Sequence, residues 1–232
     1  MKKTILATII AVFLIFEGSG CGMIKPVSAQ EKILSVMKEK YGEEFEFEGW
    51  AHKQYGSRDM TANVTCASFP GERIQAGQEE NEEGKMIYFD DYMAYQNEKE
   101  MQTILENLVQ EVYPTAHVIW KINSSEFPKE MSREMSVQEI MESKDSVFSA
   151  YIVVNQAVNE EEKYYDLEKL RKVLEDNKIR MSVALFFTLD EEAYQTVDGE
   201  NYSYWASRDG WFEQRCDFAT DRAYEFYYAD WR

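Results

Sequence analysis

Histidine and cysteine are scarce in this chain, and their scarcity excludes several kinds of site. The only histidines are His52 and His117, and the only cysteines are Cys21, Cys66 and Cys216. A structural zinc site needs four closely spaced Cys or His ligands, and the pattern H-E-x-x-H is also absent. We therefore expect no metal site, and we interpret both histidines as surface residues rather than as general bases.

Motifs for covalent and phosphate chemistry are also missing. The sequence has no G-x-S-x-G pattern around a serine nucleophile and no glycine-rich loop between a strand and a helix. The 43 acidic residues make carboxylate pairs unavoidable by number, so no glycosidase pair stands out. The acidic stretch 79–83 lacks the spaced ligands and the central glycine of a calcium loop. These absences predict a protein that has no cofactor and no catalytic activity.

Positive charge is in short supply as well. The chain carries 25 Lys and Arg against 43 Asp and Glu, which gives a formal net charge of −18 at pH 7. A surface this acidic repels nucleic acid and anionic lipid, so we exclude nucleic acid as a partner. The same balance suits a basic partner, but we interpret it as the solvated surface of an exported protein.

The longest apolar run, Ile5–Phe16, has twelve residues, which is too few to cross a hydrocarbon core as a helix. Two lysines precede it, and small residues lead from it to Cys21. That order resembles the lipobox signal of bacterial lipoproteins, in which the cysteine becomes the first mature residue and carries lipid. The resemblance implies a signal peptide over 1–20, lipidation of Cys21 and a tether over 21–28.

The same resemblance implies a place on the extracytoplasmic face of the cell membrane, held by the lipid on Cys21. Two features depart from the usual signal. Gly18 stands where a large aliphatic residue is common, and Glu17 follows the apolar run. A rival cleavage site at Val27-Ser28-Ala29 would release the chain without Cys21, and an uncleaved signal anchor is a second alternative.

Export would leave Cys66 and Cys216 as a possible disulfide pair, because disulfides persist outside the cell. Both residues lie in strand-like segments near opposite ends of the mature chain. A bond that closes so long a loop would stabilise the fold by roughly 4–5 kcal/mol in the chain-entropy model. The alternative, which we favour, is two buried thiols that pack as small apolar side chains.

The periodicity of the apolar residues indicates an α+β protein with two subdomains, 29–96 and 97–232. The first begins with a helix that Ser28 caps and Gly42 ends. An antiparallel three-stranded meander follows, with the acidic stretch 78–84 as a charged hairpin tip or loop. Its strands are predicted at 44–50, 61–69 and 86–89.

Helices and strands alternate in the second subdomain, which predicts a mixed or antiparallel sheet. The segment 147–154 has too few polar alternates for an exposed face, so we expect a central strand there. An aromatic, strand-rich tail ends the chain, and Asp209-Gly210 is predicted to form a hairpin turn. The helices are expected to begin at Asn97, Ser136 and Asn159, and further strands at 117–122 and 179–189.

Eleven of the last 32 residues are aromatic. Aromatic residues occupy every second position from Tyr224 to Tyr228, which indicates one face of a strand and favours packing. In an alternative interpretation, Trp205, Trp211 and Trp231 form an exposed platform that stacks on sugar rings or anchors a protein partner. We adopt the packing interpretation, in which Trp211 is buried and its truncation destabilises the fold.

The segment Lys40-Tyr41-Gly42-Glu43-Glu44-Phe45, after the first helix, resembles the mature start of a group of uncharacterised lipoproteins of Gram-positive bacteria. The resemblance extends through Asp90-Asp91-Tyr92-Met93 and the helix after it, over about half of the chain. The group has no assigned activity. The resemblance therefore implies a compartment and a fold pattern but no site residues.

We expect a lipid-anchored, extracytoplasmic binding or interaction module without catalytic activity. Its partner would be a protein or a cell-wall glycan. Two other classes are alternatives: a cell-wall-directed enzyme that uses carboxylates, and an acidic immunity-type inhibitor of a basic partner. Exposure separates these classes, because an enzyme needs a cleft with a carboxylate of perturbed pKa and a sugar binder needs exposed aromatic rings.

Overall fold

The computed structural model describes residues 27–53, 56–123, 127–198, 201 and 210–232. Within them the chain forms five helices and nine strands in two sheets, which confirms the predicted α+β class. The helices are α1 (Ala29–Tyr41), α2 (Tyr92–Gln110), α3 (Val137–Met141), α4 (Lys163–Asp176) and α5 (Glu191–Thr196). The strands are β1 (Phe45–Lys53), β2 (Met60–Cys66), β3 (Ile74–Glu80), β4 (Met86–Asp90), β5 (Ala116–Trp120), β6 (Phe148–Asn155), β7 (Met181–Thr188), β8 (Gln214–Thr220) and β9 (Phe226–Trp231).

The first sheet contains β1 to β4 in sequence order, all antiparallel, and α1 packs against it. Helix α1 forms as the sequence predicts. The Ser28 hydroxyl accepts a hydrogen bond from the Glu31 amide at 3.2 Å, and the Glu31 carboxylate accepts one from the Ser28 amide at 2.8 Å. Gly42 ends the helix in the left-handed conformation, at a φ of 76°. The buried side chains of α1 are Ile33, Met37 and Tyr41.

The predicted three-stranded meander is wrong by one strand. Strand β3 extends to Glu80, into the stretch 78–84 that was expected to be a hairpin tip or loop, and it pairs with both β2 and β4. Residues 81–84 do form the tip of the β3–β4 hairpin, where the Gly84 amide donates to the Asn81 carbonyl at 2.9 Å. Few apolar residues are present there, but Gly77 has no side chain and the Phe89 ring fills the space beside it. Pairing on both sides, rather than local preference, therefore makes this segment a strand.

The second sheet has the strand order β5-β6-β7-β8-β9. Strands β6 and β7 are parallel and the other pairs are antiparallel, so this is the predicted mixed sheet with a central β6. Helix α4 makes the crossover that a parallel pair requires. Helices α2 and α4 cover one face of the sheet, and Leu105, Leu170 and Leu185 are buried together there. We call this the inner face.

Helix α2 begins at Tyr92 and not at Asn97, as the sequence suggested. Its start is set by Asp90, whose carboxylate accepts a hydrogen bond from the Tyr92 amide at 3.2 Å. The expected boundary between residues 96 and 97 therefore falls inside a helix. One continuous core extends from Ile33 of α1 to Phe218 of β8, so the two sheets share their interior.

The remaining helices follow the predicted caps in part. Helix α3 is capped by Ser136, whose hydroxyl accepts a hydrogen bond from the Glu139 amide at 3.2 Å. Helix α4 begins at Lys163, one turn after the predicted start at Asn159, because 160–162 form a turn first.

The aromatic tail supplies β8 and β9 of the second sheet. The turn between them lies at 221–225, where the Asp221 carboxylate accepts two hydrogen bonds from backbone amides. Tyr224 lies in that turn at a φ of 63°, so the alternation expected over Tyr224–Tyr228 fails at its start. The hairpin predicted at Asp209-Gly210 falls partly outside the described residues.

Candidate functional site

The two faces of the second sheet differ in how fully they are covered. Side chains alternate along a strand, so Leu185 and Phe187 of β7 join the large core while Phe186 lies on the opposite, outer face. There Phe186 forms a small second core with Val153 of β6 and Ala193 of α5. Helix α5 therefore covers one end of the outer face.

Beside the small core, the outer face contains a shallow cavity of about 450 Å³, which we call the sheet trough. Its floor includes the small side chains of Ser149, Ser182 and Ala184, and Tyr151 and Tyr228 also line it. Apart from Arg232, which directly follows β9, the lining residues come from four neighbouring strands, β6 to β9. Three inter-strand spacings of about 4.8 Å give the trough a length of about 14 Å. The trough is therefore long, shallow and partly polar.

A cluster of charged side chains stands in the trough near the small core. Nε of Arg215 donates to Oδ1 of Asp217 at 2.7 Å, and Nη2 of Arg232 lies 3.6 Å from Oδ2 of Asp217. Arg232 also pairs with Asp230 at 3.0 Å, so two cations face two carboxylates and the cluster is neutral. The Arg215 guanidinium also lies 5.1 Å from the centre of the Phe186 ring, and this cation–π contact helps to hold the guanidinium in place. The cluster thus offers guanidinium donors without a net charge.

A second cavity, of about 320 Å³, lies along β5 between α2 and α5. Nδ1 of His117 is 3.1 Å from Oε1 of Glu106, and the imidazole stacks on the Tyr194 ring with 4.7 Å between centres. The Tyr194 hydroxyl donates to the Thr115 carbonyl at 2.7 Å, and burial raises the pKa of Tyr194. His117 is exposed, as expected. Glu106, His117 and Tyr194 lie on α2, β5 and α5 and contact one another. We therefore interpret them as structural contacts that hold α5 against β5 and α2.

The structure does not bring the tryptophans of the alternative platform together. Trp205 lies outside the described residues. Trp231 stacks on Phe187 at 5.9 Å on the inner face, while Trp211 packs on the small core of the outer face. Trp211 and Trp231 are each half-buried on opposite faces, so these two cannot form one platform. Trp211 was expected to be buried, and it is half-buried against the small core.

Both cysteines of the possible disulfide are free. Cys66 ends β2 in the first sheet, and Cys216 lies fully buried in β8 of the second. Burial raises the pKa of both thiols, that of Cys216 to about 12. The disulfide is therefore not formed, and the alternative of two thiols describes the structure, with Cys66 half-buried rather than buried.

The lipidation site Cys21 and the signal segment 1–20 lie outside the described residues, so the anchor stays a prediction. None of the helices that the structure describes combines the length and the apolar character needed to cross a membrane. Over the same residues, no group of three or more His, Cys, Asp or Glu side chains is placed to hold a metal ion.

No motif in the sequence identifies the residues of the sheet trough as a site. Ser149 and Tyr151 alternate with buried residues along β6, and Ser182 and Ala184 do so along β7. This alternation of small or polar residues with apolar ones indicates that one face of the two strands is partly exposed, although both strands are rich in apolar residues. Arg215 and Asp217 lie two residues apart on β8, so alternation along that strand already places them on one face. The contact of Asp217 with Arg232 gave no such signal, because it depends on the register of β8 and β9.

Comparison with known proteins gives this chain no family. No protein-family model and no curated protein matches it. Among solved structures, the chain is similar to a DUF5037 family protein from Ruminococcus gnavus ATCC 29149, with 14% sequence identity. The match covers 85% of this chain and 93% of that chain at a TM-score of 0.39. A likeness at that level carries no argument about fold or function.

Proposed function

We propose that the chain is a lipid-anchored, extracytoplasmic binding lipoprotein without catalytic activity, and that it holds a cell-wall glycan in the sheet trough. The resemblance of residues 1–21 to a lipobox signal supports export and anchoring through Cys21. The observation that carries the binding role is the trough itself. It combines a floor of small side chains, tyrosines in its lining and a neutral cluster of guanidinium and carboxylate groups.

The lining of the trough has the chemistry that a sugar requires. Tyr228 is 43% exposed, so its ring offers a flat apolar surface against which the C–H face of a sugar can pack. Arg215 and Arg232 carry N–H donors, and Asp217 and Ser182 carry acceptor oxygens for sugar hydroxyls. Because the charged cluster is neutral, it suits an uncharged glycan better than a strongly basic protein.

A carboxylate-dependent enzyme receives less support from the described residues. Its general acid would need a raised pKa inside a cleft. Among the described carboxyl groups, the pKa is raised at Glu98 of α2, because of its burial and the nearby charge of Glu72. Glu98 lines neither the trough nor the cavity along β5. In the trough, Asp217 is held by two arginine side chains, which favours ligand binding over proton transfer.

Retention on insoluble cell-wall glycan tests the ligand and the site together. The chain from residue 22 onward contains every described residue and should be retained. Ser182→Trp should abolish retention, because an indole on the floor fills the trough. Tyr227→Ala is the matched control, since Tyr227 is 81% exposed on β9 but does not line the trough.

Thermal melts followed by circular dichroism show whether the variants are folded. Equal retention of the wild type and a folded Ser182→Trp variant would place the ligand elsewhere on the molecule. A wild-type chain that is not retained at all would overturn the glycan as ligand.

Metabolic labelling with a fatty acid tests the anchor separately. The Cys21→Ser variant should take up no lipid, and it should appear in the medium or persist as an uncleaved precursor. Normal processing together with unchanged membrane retention of this variant would contradict the lipid anchor.

A further inference from the structure

The sheet trough extends across several strands in one direction. Its lining runs from Ser149 on β6, through β7 and β8, to Tyr228 on the edge strand β9. These two ends are three inter-strand spacings apart, or about 14 Å. A ligand that fills this length must be extended and must lie across the strands.

We propose that the trough binds an internal segment of an uncharged oligosaccharide, with successive sugar units laid from β6 to β9 and an outer unit packed on Tyr228. This inference rests on the proposed glycan-binding function and names the form of the ligand. It differs from a site for a single sugar ring, which would use only part of the lining.

The charges of the molecule favour an uncharged segment. The chain has a net charge of −18, so it repels anionic polymers as a whole. Within the trough, Arg215 and Arg232 are balanced by Asp217 and Asp230 at contacts of 2.7 to 3.6 Å. The cluster therefore has no excess positive charge with which to hold an anion against that repulsion.

The order of side chains along the trough predicts that affinity depends on ligand length. Ser182 on β7 and Asp217 on β8 provide polar contacts in the middle of the trough. Tyr228 provides an aromatic contact at the end, on β9. A short ligand bound at Ser149 and Ser182 does not reach Tyr228, which lies three and two strands away, whereas a longer ligand gains that contact.

Calorimetric titration with N-acetylglucosamine oligomers, from the monosaccharide to the hexasaccharide, tests this inference on the chain from residue 22 onward. Affinity should rise with length and then level off once the oligomer spans the four strands. Tyr228→Ala should lower affinity for the longest oligomer by roughly 2- to 12-fold, the effect of one aromatic contact, and leave the shortest unaffected. Tyr227→Ala should change neither.

Three outcomes would overturn the inference. Equal affinity for the monosaccharide and the hexasaccharide, lost in both cases with Ser182→Trp, would indicate a single-ring site and leave the glycan-binding function standing. Retention on cell-wall glycan without binding of any of these oligomers would exclude an uncharged N-acetylglucosamine segment as the ligand. Failure of both retention and oligomer binding would overturn the proposed function together with this inference.

Discussion

Two polar clusters, one in each sheet of this molecule, differ in how deeply they are buried. In the first sheet, Asp90 at the end of β4 is only 5% exposed, and it binds the Lys40 ammonium at 2.7 Å and the Tyr41 hydroxyl at 2.6 Å. On the second sheet, Arg215 and Asp217 bind each other at the surface of an open trough. Burial therefore separates polar groups that hold helices to the first sheet from polar groups that a ligand can reach on the second.

The buried network also explains how the first helix is attached to the second. Asp90 accepts hydrogen bonds from Tyr41 of α1 and from the amide of Tyr92, the first residue of α2. Burial and the neighbouring Asp90 charge raise the pKa of Tyr41, so its hydroxyl stays a donor at neutral pH. The same carboxylate thus stabilises the end of one helix and the start of the next.

The largest effect should come from removing Asp90. Asp90→Ala leaves Lys40 and the buried Tyr41 hydroxyl without their partner, and should reduce the free energy of unfolding by about 3–5 kcal/mol. Asp230→Ala is the control in the second sheet, because its pair with Arg232 is exposed and should contribute less than about 1 kcal/mol. Urea denaturation measures both. Similar losses in the two variants would remove the distinction between the sheets.

A smaller loss should follow from adding a methyl group at Gly77 of β3, where no space is left for it. A Cβ atom at this position would lie 2.6 Å from the Met60 carbonyl oxygen and against the Phe89 ring, and the backbone oxygen cannot move away alone. Gly77→Ala should therefore cost about 1–3 kcal/mol of stability.

Gly49 of β1 is the control for Gly77, because nothing lies within 4 Å of a Cβ atom there. The midpoint of Gly49→Ala in urea should stay close to that of the wild type. An unchanged midpoint for Gly77→Ala would show that β3 is packed less tightly than described.

Truncation of Trp211 probes the covered end of the outer face of the second sheet. Trp211 is half-buried on the small core, so Trp211→Ala should cost about 1–2 kcal/mol, between surface and fully buried positions. Chemical denaturation gives the value. A wild-type midpoint combined with weaker retention on cell-wall glycan would instead make Trp211 part of the ligand surface.

The smallest expected effect is a difference in alkylation rate between the thiols of Cys66 in the first sheet and Cys216 in the second. Burial raises the pKa of both cysteines, which lowers the fraction of reactive thiolate at pH 8, so alkylation of the native chain should be slow and should speed up as the pH rises. Half-buried Cys66 should react before Cys216.

Mass measurement of the alkylated chain records how many thiols react. After denaturation without reductant, the chain from residue 22 onward should show two modified cysteines. A chain that resists alkylation until it is reduced would restore the disulfide.

Local signals in the sequence predicted much of the fold. The cap at Ser28 and the left-handed Gly42 involve neighbouring residues, so α1 was found with its ends. The apolar run of β6 identified a central strand. Strand β3 was missed because Gly77 and Gln78 have weak strand preference, and they form a strand only through pairing with β2 and β4.

The candidate site was much harder to predict than the fold. Ala184 and Asp217 are far apart in sequence and lie opposite each other through the pairing of β7 with β8. The tryptophans are rare and large, which suggested a ligand platform. Whether two of them share a face of the sheet, however, depends on strand register. Arg215 and Arg232 exchange backbone hydrogen bonds across β8 and β9, a contact that no periodic pattern reveals.

The most direct test of the account is a map of backbone amide chemical shifts as an N-acetylglucosamine hexasaccharide is added to the chain from residue 22 onward. We expect the changes to concentrate at Ser182, Ala184, Asp217 and Tyr228, on the outer face of the second sheet. We also expect the first sheet and the cavity beside His117 to stay unchanged. Changes centred on His117 or on β1 to β4, with the trough unaffected, would contradict the account.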